Sequence, residues 1–330
     1  MTFWPHSTRG GVPFPGHGRG WRSASRFLSR CCCGPRRLSS DEYLERRPGQ
    51  AETVSEYGQE SMWRDTATAD AERARDLAAR LERRAQAEDE VAARDIYLGL
   101  LNIADGERVL DVGCGSGAVT REIGRRVGKR GLAVGLDPSP ALLAVARELA
   151  KEKGLGDRVE FREGNALQLP FPDRSFDAVV CVTVLSHVPS GEAAIAELIR
   201  VLRPGGRLGV FDLDTDMTAF THPDRALTRR IVAAASDATA VNGWLVRQLP
   251  LLFQRAGLMN VRARGFFPLE TDLRSFYGSM AARCAEVAVK TGAITEFERR
   301  AWLDTFREQG AQGPIVAGRL HIFVWGRKPA

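Results

Sequence analysis

Short apolar runs and longer amphipathic stretches take turns along this chain. "RVLDVG" (108–113) predicts a strand carried by Val109, Leu110 and Val112 that breaks into glycines. "GAVTREIGRRVG" predicts a helix ending at Gly128, and "GLAVGLDPS" a second strand ending at Asp137. "PALLAVARELAKEKG" predicts a second helix, with Pro140 at its start and Gly154 past its end, where helix boundaries favour those residues. "RVEFREGNA" is a third strand, and "FDAVVCVTVL" a fourth, apolar almost throughout as a strand covered on both faces should be. "GEAAIAELIRVL" is a helix closed by the turn "RPGG", followed by a fifth strand, "RLGVFDLD". Residues 215–243 then form a connection with a helix at 224–238. "GWLVRQLPLLFQRAGL" is a helix broken or kinked near Pro250. "NVRARGFFPLE" is a sixth strand, 271–313 is helical, and "RLHIFVWGRK" is the last strand. Upstream, 64–101 predicts helix, with Leu77, Leu81, Ile96, Leu98 and Leu101 on roughly helical spacing.

Strands alternating with helices argue for an α/β fold around a mainly parallel sheet with right-handed crossovers. Ligands of such sheets bind at the carboxyl ends of the strands. The insertions 215–243 and 271–313 are not needed to build the sheet, and are either decorative helices or a cap over a substrate. Residues 1–60 carry no regular pattern, so the expected organisation is one domain over 61–330: helices at 64–101, a ligand-binding core at 105–214, and substrate-side helices and last strands at 215–330.

Composition changes the picture mainly at the N-terminus. The net charge is +6, yet residues 1–40 hold seven arginines and no acid, so the rest of the chain is close to neutral. A nucleic-acid binder places its basic patch on the folded body, so no nucleic acid partner is expected. The Arg-rich, acid-free segment overlaps with transit peptides, but disorder or a start assigned too early, with Met62 the true start, ranks higher. No apolar run reaches the roughly 18 residues of a membrane span. Of six cysteines, Cys31, Cys32 and Cys33 are adjacent and Cys114, Cys181 and Cys284 stand far apart. No pair has C-x-x-C spacing, so no metal site is expected, and buried thiols in a reducing, cytoplasmic setting are.

Candidate chemistry gathers just past the strands. Gly113, Gly115 and Ala118 fit the dinucleotide pattern G-x-G-x-x-G/A, whereas Gly113, Gly115 and Gly117 fit G-x-G-x-G, which suits a sulfonium nucleoside. Asp111 would repel a pyrophosphate and suits a ligand bearing an ammonium group. Asp137, 20 residues beyond Gly117, is placed to accept from two ribose hydroxyls, with Ser139 the better helix cap. Asn165 and Ala166 follow the third strand, where a polar side chain and a backbone N–H can meet an adenine ring.

"VLDVGCGSG", "GLDPSPALL", "EGNALQLPFPDRSFDAVVCVTVLSHV" and "LIRVLRPGGRLGVFD", in this order, resemble the class I S-adenosylmethionine-dependent methyltransferases, in particular the methyltransferase-11 or UbiE-like group. The resemblance is strong over 109–214 and looser on both flanks. It implies a Rossmann-like, seven-stranded, mostly parallel sheet with helices on both faces, an antiparallel last strand and helical insertions as a cap. It implies S-adenosylmethionine as cofactor and a small-molecule acceptor, methylated on O, N or C. Gly113, Cys114 and Gly115 would line the methionine and ribose part. Asp111 would hold the amino group, Asp137 the ribose hydroxyls, and Pro138, Asn165 and Ala166 the adenine. Val182, Thr183 and His187 would approach the methionine end and the substrate. The alternative is an NAD(P)-dependent oxidoreductase on a similar sheet; Asp111, the glycine spacing, the ~100 residues before the first strand and the "LRPGG" turn favour the methyltransferase. Oligomeric state is not encoded in any of these features.

Methyl transfer needs a general base only if the acceptor must lose a proton. His187 and His222 are the candidates; His6 and His17 lie in the tail, and His321, inside the last strand, reads as structural. Asp212, Asp214 and Asp216 alternate on one side of the fifth strand, as a polar or metal site would, though solvated or capping acids explain them as well. Trp244, Phe253, Phe276, Tyr277 and Trp302 hint at an apolar acceptor or at core. The family commonly has an acid where this chain has Asn165, which can still accept through its carbonyl oxygen but without charge assistance. The variant Asn165→Asp is therefore expected to bind S-adenosylmethionine as tightly or more tightly; calorimetry showing a large loss would defeat the assignment.

Overall fold

The computed structural model describes residues 66–330. The expectations for 1–60, including Met62 as a start just beyond it, lie outside the described residues. A short 3-10 turn (Thr66–Thr68) leads into α1 (Ala71–Gln86) and α2 (Glu88–Leu100). The single helix expected over 64–101 is thus two, because Ala87 leaves helical geometry with ψ 137°.

The strands are β1 (Arg108–Val112), β2 (Leu132–Asp137), β3 (Val159–Glu163), β4 (Phe176–Val182), β5 (Leu202–Phe220), β6 (Met259–Phe266), β7 (Leu269–Glu270) and β8 (Ala317–Arg327). The helices between them are α3 (Ala118–Arg126), α4 (Pro140–Glu152), α5 (Gly191–Arg200), α6 (Arg225–Thr239), α7 (Leu245–Arg255), α8 (Phe276–Lys290) and α9 (Glu296–Gln312). The sheet runs β3-β2-β1-β4-β5-β8-β6, with β7 paired to β8. Strands β1 to β5 are mutually parallel. β8 runs antiparallel between β5 and β6. The Rossmann-like topology matches expectation; the strand count rises from seven to eight only through the two-residue β7.

Side-chain alternation on β1 feeds both faces. Leu110 and Val112 join the core under α5 and α7, with Leu198 and Phe253. Val109 joins the core under α2, α3 and α4, with Leu98, Ile123 and Leu143. A third core belongs to the insertions: Ile231 of α6, Ala285 of α8 and Trp302 of α9 pack together over Phe220 at the end of β5. The inserted helices therefore form a cap with its own apolar interior.

Three boundaries differ from the pattern reading. β5 runs on to Phe220 instead of ending at Asp214, because Thr218–Phe220 pair with Ala317–Arg319 after a register shift. "RPGG" is not a free turn but an irregularity inside β5, between the pairs Phe176–Leu202 and Ala178–Arg207. The helical region 271–313 is two helices, with Thr295 opening α9 through a capping box with Glu298. α7 continues through Pro250 without a break. No helix among the described residues is long and apolar enough to cross a membrane.

Leu110, fully buried at the centre of the sheet, tests this packing. Leu110→Ala is expected to cost about 2–5 kcal/mol in denaturant-induced unfolding.

Candidate active site

The carboxyl ends of β1, β2 and β4 open onto a cavity of about 260 Å³. Asp111, Gly113, Cys114 and Gly115 line it from the first strand and turn, Asp137 and Pro138 from the second, and Val182, Thr183 and His187 from the fourth. The glycine turn is held from behind. The N–H groups of Gly113 and Cys114 both donate to the Leu136 carbonyl, at 2.7 and 3.0 Å. Gly113 has φ 72°, and a Cβ there would collide with Val184; only glycine meets both demands. Gly117 does not line the cavity. It starts α3 with φ 78°, where a Cβ would meet the Phe161 ring at 2.8 Å.

Two of the carboxylates lining this cavity sit at the strand ends. Asp111 is buried and accepts from the Thr120 hydroxyl at 2.6 Å. Burial pushes its carboxyl up to about 7, and the nearby Asp137 charge pushes the same way against the Thr120 hydrogen bond. Asp137 accepts from the Gly115 N–H at 2.9 Å and the Ser139 N–H at 3.0 Å. Burial still raises its pKa, despite those bonds. A carboxylate has about four lone-pair sites, so Asp137 retains capacity for further donors. Ser139, not Asp137, caps α4 by accepting from Leu142. Cys114, Cys181 and Cys284 are free, buried thiols, and burial pushes each pKa up.

Asn165 and Ala166 stand apart from the lining. Asn165 is exposed, and its Oδ1 accepts from the Leu167 N–H at 2.9 Å, closing a tight turn on its own backbone. Its side chain is thus committed locally in a way that spacing does not reveal.

A second cavity, of about 110 Å³, lies between α1, β5, the cap helix α8 and β8. Leu81, Arg84 and His187 line both cavities and form the wall between them. Arg84 and Leu81 come from α1, whose position depends on tertiary ties. Glu82 accepts from Arg121 at 2.7 Å and from the Ser116 hydroxyl at 2.6 Å, which clamps α1 onto the glycine turn. Arg84 donates to Glu90 at 2.9 Å and to the Thr183 hydroxyl at 3.3 Å, and its other end meets His321 Nε2 at 3.2 Å. Tyr277 donates to the same Glu90 at 2.8 Å. The pattern alone misses Arg84 because nothing separates it from its exposed neighbour Arg83 in "LERRAQ". Arg319 carried a usable signal: it shares a strand face with His321 and Phe323, and that face is core.

The two histidine candidates separate. His187 lines both cavities, and its Nδ1 is sealed from water without a partner. Burial drives its pKa down to about 4, helped by the charges of Arg319 and Arg84. His222 is corrected: it lines neither cavity, because its ring stacks on Trp302 and both nitrogens are occupied. Nδ1 accepts from the Asp224 N–H at 3.0 Å, which leaves Nε2 to donate to the Trp302 carbonyl at 3.2 Å. The three acids of β5 also resolve. Asp212 accepts from the Ser186 and Leu213 N–H groups, Asp214 holds Arg247 at 2.5 Å, and Asp216 accepts from Ser236. Among the described residues no group of three or more His, Cys, Asp and Glu is placed to hold a metal ion. Of the aromatic candidates, Phe276 and Tyr277 line the second cavity, Phe253 and Trp302 are core, and Trp244 is exposed.

Residues 109–206 match the family model of a methyltransferase domain. A Streptomyces fradiae protein of transposon TN4556 is 30% identical over 240 residues, covering 70% of this chain and 66% of that one. The Hahella chejuensis ubiquinone/menaquinone biosynthesis C-methyltransferase UbiE is 43% identical over 107 residues, 32% of this chain and 43% of that one. The chain thus spans less than two thirds of the length of these curated relatives. A crystal structure from Bacillus halodurans C-125, described as a methyltransferase, aligns with TM-score 0.53 at 21% identity over 72% of this chain and all of that one, a likeness of fold. Residues 109–206 of this chain are thus a methyltransferase domain, set in the fold that the S-adenosylmethionine-dependent methyltransferases use.

Proposed function

We propose that this protein methylates a small molecule seated in the second cavity, using S-adenosylmethionine held in the first. The observation that carries this reading is the shared wall of Leu81, Arg84 and His187, which sets an acceptor chamber directly against the glycine-turn chamber. The first chamber suits the cofactor chemically. Asp111 is a buried carboxylate for an ammonium group, Asp137 has lone pairs left for ribose hydroxyls, and the turn of Gly113, Cys114 and Gly115 admits close approach of a ligand. Pro138 flanks the adenine end, with Asn165 and Ala166 farther out, and Val182 and Thr183 line the methionine end.

When bound, S-adenosylmethionine supplies an electrophilic methyl group on a sulfonium. This chain's contribution is to position the acceptor in line with it and to exclude water. α1 borders both chambers and α8 covers the second. His187 is neutral at physiological pH, since its pKa lies near 4. A base that weak gains little by taking a proton at neutral pH. An unmet acceptor is tolerated better than an unmet buried N–H, so the proton sits on Nε2 and the ring orients the acceptor by donating a hydrogen bond. The acceptor atom is an O, N or C that is nucleophilic without deprotonation by His187. Three separate buried thiols suit a reducing cytoplasm.

Thermal-shift measurements should show stabilisation by S-adenosylmethionine and S-adenosylhomocysteine; stabilisation by NAD alone would overturn the reading. Affinity should also depend on pH. The free protein holds Asp111 protonated up to about pH 7, so its stability falls as pH rises from the unfolded value, near 3.8, through that range. A ligand ammonium favours the carboxylate, so binding expels a proton below that pH. The dissociation constant should tighten from about pH 6 to about pH 8, and Asp111→Asn should flatten the slope. For His187, rates should show no inflection near its ordinary pKa, and His187→Asn should keep turnover within about tenfold while His187→Leu loses more.

A further inference from the structure

Four arginines, Arg80, Arg84, Arg283 and Arg319, line the second cavity, and among the described residues no carboxylate does. Arg84 is matched by Glu90, which stands on the far side of the shared wall. Arg319 makes no ion pair among the described residues, and Asp214 acts on it only from a distance. Its Nε donates to the Thr218 hydroxyl at 2.8 Å, and its two terminal nitrogens meet no protein acceptor. The nearest acid on β5, Asp214, is already taken by Arg247 at 2.5 Å. An uncompensated cation in a low-dielectric cavity is strongly unfavourable. Part of the remaining lining is apolar, through Leu213, Phe276, Met280 and Val287, beside neutral polar groups such as Thr215 and Tyr277. Arg319 is also held in place, since its backbone pairs with Thr218 of β5, the neighbouring Gly318 pairs with Leu269 of β7, and the Thr218 hydroxyl fixes one edge of its guanidinium.

We propose that Arg319 anchors a carboxylate of the methyl acceptor, so that the substrate is a small apolar molecule bearing an acid group. The inference rests on the second cavity being the acceptor site. With Nε occupied, the remaining edge presents two parallel N–H donors, the arrangement that matches a planar carboxylate bidentately. A carboxylate there supplies the missing counter-charge, while the apolar walls take the body of the molecule. His187 lines the same cavity at its boundary with the cofactor chamber. Anchored by its acid at Arg319, the molecule presents the rest of its frame toward that boundary. Arg319 is a positioning and specificity residue in this scheme, not a catalytic one.

The test is calorimetric titration of the full chain, saturated with S-adenosylhomocysteine, with benzoate and with its neutral isostere benzamide. Benzoate is expected to bind at least about tenfold more tightly. Arg319→Gln should erase that preference, Arg319→Lys should keep part of it, and both variants should hold S-adenosylhomocysteine as the parent does, which shows that they fold. Absence of benzoate binding, equal affinity for the two probes in the unaltered protein, or a preference that survives Arg319→Gln overturns the proposal. Failure of S-adenosylhomocysteine to bind would instead defeat the methyltransferase reading, and the benzoate preference measured without it would still decide the anchor.

Discussion

The ion pair between Arg84 and Glu90 is the interaction on which the site depends. Burial by itself would draw the arginine's pKa down and push the glutamate's up, yet each outweighs that cost for the other: Arg84 is raised and Glu90 is held below the usual carboxylate range. Such a pair is weak evidence for net stability, because desolvation offsets most of its attraction. Its consequence is geometric. Arg84 is on α1, Glu90 on α2, Tyr277 on α8 and His321 on β8, and all four are joined through hydrogen bonds to the pair. Removing one partner would leave a buried charge alone and free helices that border both cavities at once.

The network also fixes protonation states that distance alone would leave open. His321 accepts from Arg84 at Nε2 and donates from Nδ1 to the Arg319 carbonyl at 3.1 Å, so its ring is neutral, in keeping with a pKa driven down to about 3 by burial and by Arg84. Positive charge near the second cavity depresses His187 by the same physics. The two cavities differ in charge: Asp111, Asp137 and Glu90 line the first together with Arg84 and Arg94, whereas the described lining of the second holds arginines and no carboxylate.

Backbone demands and side-chain demands are met by different devices around the glycine turn. Gly113 and Gly115 adopt left-handed geometry and leave no room for a Cβ, Gly115 because Leu81 of α1 lies 2.7 Å from where it would be. Thr183 also has positive φ, at 53°, without being glycine. Its hydroxyl accepts from Arg84 and its N–H donates to the Phe211 carbonyl at 2.7 Å, so surrounding contacts hold an otherwise uncommon conformation. The same α1 that packs on the glycine turn thus reaches the end of β4.

Sequence by itself determined the parts whose causes are local. The period of apolar residues set the order of β1 to β5 and their helices. Glycine spacing marked the turn, and Asp111 and Asp137 were legible because a strand end places its last side chains at the ligand edge. Ser139 and Gly154 marked the ends of α4 for reasons of capping and left-handed geometry. Tertiary structure alone decided what depends on distant partners. The continuation of β5 to Phe220 comes from pairing with Ala317–Arg319, a hundred residues away in sequence. His222 left the candidate list because Trp302, on another helix, covers it, whereas His187 stayed because the fold seals one of its nitrogens. Arg84 is an ordinary arginine in the sequence and Arg319 is marked only by its place on a core-facing strand face; one forms an ion pair with Glu90 and the other only a hydrogen bond to Thr218, and the packing of α1, α8 and β8 creates that difference. Charge in a protein acquires its meaning from the dielectric and the partners around it, and those are properties of the folded chain.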